Sequence, residues 1–250
     1  MQEQDLAVII LAAGKGTRMQ NALPKVLIPI FGKPTLEYVL DTAEKLNPAR
    51  TLVVVGYQAN QIREKFLKRK KLEFVLQEEQ LGTGHAAYQT ANVLKNFEGN
   101  ILVLCGDMPL IKSETLELLL DQHKKVSAKC TVLTLKTKLN NDFGRVIRDD
   151  KGQMLKIVEF KDAFGKVKNV DEFNSGVYCF DKMFFFNALC SIGDNNIQKE
   201  YYLTDTVECS VKSGYSVASV QTTDTNEIIG INSPDDLRRV VELLKKKDRL

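Results

Sequence analysis

Three short clusters of side chains are suited to phosphate chemistry. The first is Leu11-Ala12-Ala13-Gly14-Lys15-Gly16-Thr17-Arg18-Met19, with Pro24-Lys25 a few residues on. Gly14 and Gly16 carry no Cβ, so a ligand can approach the backbone there. The freed N–H groups and the nearby cations Arg18 and Lys25 suit a polyphosphate. The second cluster is Gly106-Asp107. A carboxylate at that point can hold Mg²⁺ against phosphate oxygens, because Mg²⁺ favours one or two carboxylates plus phosphates. A turn or helix-capping aspartate is the competing role, and a single carboxylate leaves a second ligand to be found. The third cluster is Gln77 with Gly82 and Thr83, where a carboxamide offers both donors and an acceptor to a base. His85 follows, and a structural role at a helix end accounts for it as well as catalysis does. No Ser-His-Asp arrangement assembles from the two histidines, His85 and His123.

The named nucleotide fingerprints are missing. The loop reads G-x-G-T-R-M rather than G-x-G-x-x-G, and no Gly-Lys pair is followed by Ser or Thr. Both a dinucleotide oxidoreductase and a P-loop phosphotransferase lose ground on that count.

These clusters need a scaffold that brings them to one edge. The apolar run Leu6–Leu11 reads as a buried strand of a parallel sheet, and the Gly-rich loop follows its carboxyl end. Leu27–Ile30 reads as extended and Phe31–Pro34 as a turn. A helix carries Leu36, Val39, Leu40 and Ala43, and Leu52–Val55 is a second strand. A helix with Ile62, Phe66 and Leu67 precedes the strand Leu72–Leu76, after which Gln77 stands. A helix over Ala86–Leu94 leads to the strand Ile101–Leu104, after which Asp107 stands. Alternating strands and helices predict a parallel sheet covered on both faces. In such sheets ligands bind beyond the carboxyl ends of the strands. From Lys129 the rhythm changes, with strands at Thr131–Leu135, Arg145–Arg148, Gln153–Phe160 and Gly176–Phe180. Asn140-Asn141 and Asp150-Lys151-Gly152 supply turns, giving a more antiparallel lobe. Tyr201–Val211 reads as a helix, and Pro234–Lys246 as an amphipathic one opened by Asn232-Ser233.

Composition narrows the class. The chain has 250 residues, 44% hydrophobic and 27% charged, as in an ordinary soluble globular protein. A net charge of +3 does not call for nucleic acid or an anionic membrane as partner. The basic runs Lys68–Lys71 and Lys245–Lys247 read as solvated surface. No stretch approaches the ~20 apolar residues that span a bilayer, and Met1–Asp5 lacks the plan of a signal peptide. The cysteines at 105, 130, 179, 190 and 209 are odd in number and form no C-x-x-C pair, so a cytoplasmic location is expected.

Taken together, the pieces resemble the nucleotidyltransferases that make nucleotide sugars, the sugar-1-phosphate pyrophosphorylases. Within that family the likeness is to the uridyltransferase half of bifunctional bacterial enzymes. Leu11–Met19 with Leu23–Leu27 looks like the signature loop, Gln77 with Gln80–Ala86 like the uracil-reading segment, and Gly106-Asp107 with Pro109-Leu110 like the metal-binding strand end. Phe143-Gly144-Arg145, Val158-Glu159, Asn174-Ser175-Gly176, Glu200–Asp205 and Gly230-Ile231-Asn232 match in order. The resemblance implies an α/β fold: a Rossmann-like mixed, mainly parallel sheet with helices on both faces. It implies a single domain over 1–250, with a nucleotide-binding half to about 110, a sugar-phosphate half over 111–230, and a closing segment and helix over 231–250. It implies uridine held by Leu11, Ala12, Ala13, Gly14 and Gln77 with Gly82 and Thr83 beside it, the triphosphate embraced by Arg18 and Lys25, and the strand end Gly106-Asp107 in contact with substrate. Gly144, Glu159 and Asn174 would bind an amino sugar, and Asp107 and Asn232 would share Mg²⁺. The implied reaction joins UTP and N-acetylglucosamine 1-phosphate into UDP-N-acetylglucosamine and pyrophosphate. The alternatives are another sugar phosphate, phosphocholine, or a non-catalytic nucleotide-sugar sensor. The family's full-length members continue into a left-handed β-helix; here neither its acetyltransferase activity nor its trimer is expected. Cys105 stands where the family usually has an aromatic residue, so the sugar specificity is less fixed than the reaction type.

Overall fold

Every residue of the first strand is apolar, and its side chains divide between two cores. In the computed structural model, which describes residues 5–19, 23–138 and 142–247, Leu6, Val8, Ile10 and Ala12 enter one apolar cluster and Ala7 and Ile9 the other. A strand buried on both faces must lie inside a covered sheet. The strands are β1 (Leu6–Ala12), β2 (Pro29–Ile30), β3 (Lys33–Pro34), β4 (Arg50–Val55), β5 (Leu72–Leu76), β6 (Asn100–Cys105), β7 (Cys130–Lys136), β8 (Arg145–Arg148), β9 (Met154–Val158), β10 (Glu172–Asp181) and β11 (Ala218–Thr222). The main sheet has the order β11-β7-β10-β6-β1-β4-β5, with the β8–β9 hairpin attached to β10. β1 pairs in parallel with β4 and β6, β4 with β5, and β7 with β11, while β10 runs antiparallel to β6 and β7. The expected mixed, mainly parallel sheet is the one observed.

The helices are α1 (Thr35–Glu44), α2 (Ala59–Phe66), α3 (Thr83–Tyr88), α4 (Ser113–Lys125), α5 (Lys182–Ser191), α6 (Asp205–Lys212) and α7 (Pro234–Lys247). One face of the sheet is covered by α1, α2 and α4, through residues such as Leu40, Ile62 and Leu119. The other is covered by α3, α5 and α6, through Ala87, Phe185 and Val207. A third cluster joins α7 to the loop after β1: Val240, Ile229 and Ile231 pack with Met19, Ile28 and Ile30. Among the described residues no helix is long and apolar enough to cross a membrane.

Several expected boundaries are corrected. The helix placed at Ala86–Leu94 begins at Thr83 and ends at Tyr88, after which the buried Thr90 turns its hydroxyl onto the Ala87 carbonyl. A hydroxyl bonded back to the chain competes with regular helix. The helix read at Tyr201–Val211 is α6, starting at Asp205, because residues 201–203 bond to the α3 entry instead. Lys25–Leu27 forms a 3₁₀ turn before β2, and Lys33–Pro34 is a short strand rather than turn. The strand at Gly176–Phe180 begins at Glu172. α4, α5 and β11 were not anticipated. The expected turn at Asn140-Asn141 lies outside the described residues.

Candidate active site

The carboxyl ends of β1 and β6 are stapled together, since the Gly106 N–H donates to the Leu11 carbonyl at 2.9 Å. Lys25 enters from the 3₁₀ turn that Pro24 opens and Val26 anchors in the core. Its aliphatic stem lies against Gly16: a Cβ there would stand 2.9 Å from Lys25 Cβ and 3.2 Å from its Cγ and Cδ. Gly16 also has a φ of +62°, so both the space and the backbone angle require glycine. The Lys25 ammonium donates to Asp107 Oδ2 at 2.5 Å and to Asn232 Oδ1 at 3.0 Å.

Asn232 is brought to Asp107 by three features. The Ile231 N–H donates to the Asp107 carbonyl at 2.9 Å. Ser233 and Asp236 form a reciprocal cap at the start of α7, the Asp236 N–H donating to Ser233 Oγ and the Ser233 N–H to Asp236 Oδ2, while the Asn232 N–H donates to Asp236 Oδ2 as well. Gly230 leaves room, because a Cβ there would sit 3.1 Å from Asn232 Nδ2 and 3.3 Å from Asp107 Oδ2. One carboxylate oxygen and one amide oxygen thus converge on a single cation beside an open cradle. That is a hard oxygen pair, the donor set Mg²⁺ takes when phosphates supply further ligands. No group of three or more His, Cys, Asp or Glu side chains among the described residues is placed to hold a metal.

Beyond Asp107 opens a cleft of about 210 Å³ lined by Leu11, Thr83, Cys105, Asp107, Gly144, Glu159, Asn174 and Asn232, among others. It adjoins a second hollow of about 400 Å³ that reaches Arg18 and Asp142. The floor is shaped by an irregularity in β10 between Asn174 and Tyr178, where the register with β7 slips. Gly176 sits in it with a φ of +84°, and the Cys105 thiol donates to its carbonyl at 3.6 Å. A strand irregularity beside a cleft re-aims side chains; here Asn174 Oδ1 turns back to accept the Gly176 N–H at 3.0 Å. Gly144 is required by crowding, since a Cβ there would meet Ile157 Cγ2 at 2.8 Å.

The predicted base-side residues gather next to this cleft, on the same edge. Ala12 and Ala13 are buried, Gly14 is exposed, and the Ala13 carbonyl accepts the Tyr57 N–H. Gln77, buried, gives its Nε2 to the Gly82 carbonyl at 3.1 Å and faces His85 Nδ1 at 3.0 Å. Its amide therefore braces the 78–82 loop, and neither Gln77 nor Gly82 lines the cleft described above. Thr83 does line it, while its hydroxyl accepts the Leu203 N–H at 3.0 Å. Arg18 stands exposed on the rim, paired with Asp142 at 3.3 Å. Asp142 was missed in the sequence, for an exposed loop carboxylate carries no pattern.

Residues 8–155, well over half the chain, match the MobA-like NTP transferase domain. The chain belongs to the MobA-like NTP transferase family. Curated relatives of this MobA-like chain include the bifunctional protein GlmU of Pelobacter propionicus, 42% identical over 98% of the chain and 53% of the relative. The GlmU of Geobacillus thermodenitrificans and that of Bacillus cereus are each 43% identical over 96% of the chain and 52% of the relative. The chain thus spans about half the length of the curated relatives it matches. A crystal structure of UDP-glucose pyrophosphorylase complexed with UDP-glucose superposes with a TM-score of 0.76 over 97% of this chain and 99% of that one; at 17% identity, it speaks for the fold.

Electrostatics separate the two walls of the MobA-like cleft. Burial pushes the Cys105 thiol up to about 12, with the nearby Asp107 carboxylate adding to the effect, so it remains protonated. Burial also raises the Glu159 carboxyl above its usual range, opposed by the hydrogen bond that Thr204 Oγ1 donates to Glu159 Oε1 at 3.0 Å. Facing them, Lys25 and Arg18 supply positive charge on the side of the Gly-rich loop.

Proposed function

We propose that this domain transfers a uridylyl group from UTP to N-acetylglucosamine 1-phosphate, releasing pyrophosphate and forming UDP-N-acetylglucosamine. The reading rests on one observation above all: Lys25, Asp107 and Asn232 converge at the mouth of a cleft whose far wall carries Gly144, Glu159 and Asn174. A corner holding an ammonium, a carboxylate and an amide oxygen, beside a polar, carboxylate-bearing pocket, suits a triphosphate meeting a polyhydroxylated acceptor. The curated relatives, matched along nearly the whole chain, support the same assignment.

In this reading the backbone and side chains of Leu11–Gly14, with Thr83, hold the uridine, and Gln77 with Gly82 sets the loop beside it. Residues to about 110 serve the nucleotide, those over 111–230 the sugar phosphate, and those over 231–250 close the site. Asp107 and Asn232 would hold Mg²⁺, which when bound supplies charge neutralisation to the phosphates. The sugar phosphate arrives with an anionic oxygen, so the protein needs no general base to activate it. Gly144 leaves space for the sugar, while Glu159 and Asn174 orient its hydroxyl and amide groups for in-line attack. Lys25 and Arg18 neutralise charge that grows on the departing pyrophosphate. Five free cysteines accord with a reducing, cytoplasmic setting.

The test is an assay of pyrophosphate release with UTP, CTP or another nucleotide against a panel of sugar 1-phosphates and phosphocholine. Turnover with UTP and N-acetylglucosamine 1-phosphate above all other pairs is expected. Turnover with none of the pairs, coupled with tight UDP-sugar binding, would make the protein a sensor.

A further inference from the structure

We propose that Lys25 is a resident substitute for the metal ion. Its ammonium fills the position between Asp107 and Asn232 in the ligand-free protein and leaves it when nucleotide and metal arrive together. The inference rests on the assignment of Asp107 and Asn232 as the metal's ligands, and its test separates the two ideas.

A metal ion bridging Asp107 and Asn232 would need the oxygens that Lys25 Nζ already contacts, at 2.5 Å and 3.0 Å. The lysine and the aspartate are 19% and 10% exposed, so each compensates a charge that would otherwise stand poorly solvated. A divalent cation placed beside an ammonium that stays put would meet like-charge repulsion with little water to screen it. Metal binding therefore requires Lys25 to go elsewhere.

The destination lies in the Gly-rich loop. Lys25 lies with its stem along Gly16, within the Gly-rich loop whose backbone N–H groups suit phosphate. An ammonium on a four-carbon stem can turn from the Asp107 side to an anion on that loop without moving the backbone. Triphosphate thus draws Lys25 out of the oxygen pair, and the vacated pair accepts the metal. Nucleotide and metal then bind cooperatively, each raising the affinity for the other by the same factor.

Binding of Mn²⁺, followed by electron paramagnetic resonance and calorimetry without turnover, tests this. Nucleotide-free wild type, Lys25→Met and Lys25→Gln are compared, and Asp107→Asn is added to each lysine variant. We expect the Lys25 variants to bind Mn²⁺ at least ~10-fold more tightly than wild type, the direction set by removing a like charge at contact distance. A non-hydrolysable UTP analogue should tighten Mn²⁺ binding in wild type by more than in either variant. Asp107→Asn should remove the gained affinity. Equal Mn²⁺ affinity in wild type and both lysine variants, with Asp107→Asn still weakening it, overturns the exchange and leaves the ligand assignment standing. Tight Mn²⁺ binding that survives Asp107→Asn overturns the ligand assignment itself, and the exchange with it.

Discussion

Asp107→Asn keeps the shape of the side chain and removes its charge, which gives two separable effects. The first is on stability. Asp107 Oδ2 holds the Lys25 ammonium at 2.5 Å, and Lys25 is only 19% exposed. Breaking a fully buried pair costs roughly 3–5 kcal/mol, and an exposed pair contributes at most about 1 kcal/mol. Lys25 lies between these limits and its stem can carry the charge towards water, so a loss of ~1–2 kcal/mol is expected. For a chain of this size that lowers the melting temperature by about 3–6 °C. The second effect is on catalysis. In the proposed reading Asp107→Asn removes the carboxylate that would hold the metal, and turnover should fall by more than ~10²-fold, equivalent to about 2.7 kcal/mol of transition-state stabilisation. Calorimetric melting and pyrophosphate release at saturating UTP, sugar phosphate and Mg²⁺ read the two separately. Adding Lys25→Met to Asp107→Asn should restore part of the lost melting temperature, since no unpaired charge is left, and should restore none of the turnover. Wild-type turnover in Asp107→Asn would refute the role given to Asp107. A wild-type melting temperature would refute the strength given to the ion pair.

Other consequences follow from single positions. Gly84→Ala would bring a Cβ to 2.5 Å from Ile192 Cδ1 and 2.9 Å from the Tyr201 carbonyl; overpacking of that kind costs ~1–3 kcal/mol, which denaturant unfolding will detect. His123 is 2% exposed, its Nδ1 lies 2.8 Å from Thr131 Oγ1, and burial lowers its pKa to about 4 from 6.5. The folded protein therefore binds fewer protons than the unfolded chain between those values, so stability is full above pH 6.5 and falls as pH drops towards 4, by up to ~3 kcal/mol. His123→Gln should flatten that limb of the stability–pH curve, and an unchanged limb would contradict the buried neutral imidazole. With a thiol reagent at pH 7.5 the exposed Cys190 should react first, while Cys105, held protonated, and the buried Cys130 and Cys179 wait for unfolding. Rapid labelling of Cys105 in the native protein would show its wall of the cleft to be open.

The sheet was legible because its signals are local and redundant. β1, β4 and β6 are apolar on both faces, and each is followed by a glycine within two residues. The missing elements had weaker patterns. α5, Lys-Met-Phe-Phe-Phe-Asn-Ala-Leu-Cys-Ser, is apolar nearly all round, so no stripe marks it, and it fits between α3, α6 and β10. β11 is a short edge strand, only partly buried. α4 does carry a plain stripe at Leu116, Leu119, Leu120 and His123, and there the pattern was available. At the candidate site, residue types single out Arg18, Lys25 and Asp107, while bonds that residue types do not encode give Gln77 its bracing task, tie Lys25 to Asp107 and tie Arg18 to Asp142.

The reversal of one strand explains how the two walls meet. β10 pairs with β6 only from Tyr178↔Val103 to Asp181↔Asn100. Because it runs antiparallel, its earlier residues extend past the carboxyl end of β6, where Cys105 and Asp107 stand. A parallel strand in that slot would deliver its amino-terminal residues to the opposite edge of the sheet. The reversal carries Asn174–Gly176 over Cys105, and the register slip after Asn174 bends that overhang into the cleft floor. The hairpin β8–β9, attached to the same overhanging part of β10 through Phe173↔Arg145, brings Gly144 and Glu159 with it. The wall carrying Gly144, Glu159 and Asn174 is therefore fixed to Asp107 by sheet hydrogen bonds, and Asn232 reaches Asp107 through the Ile231–Asp107 backbone bond. Such a site can be rigid along both walls while one long side chain, Lys25, remains free to exchange partners between them.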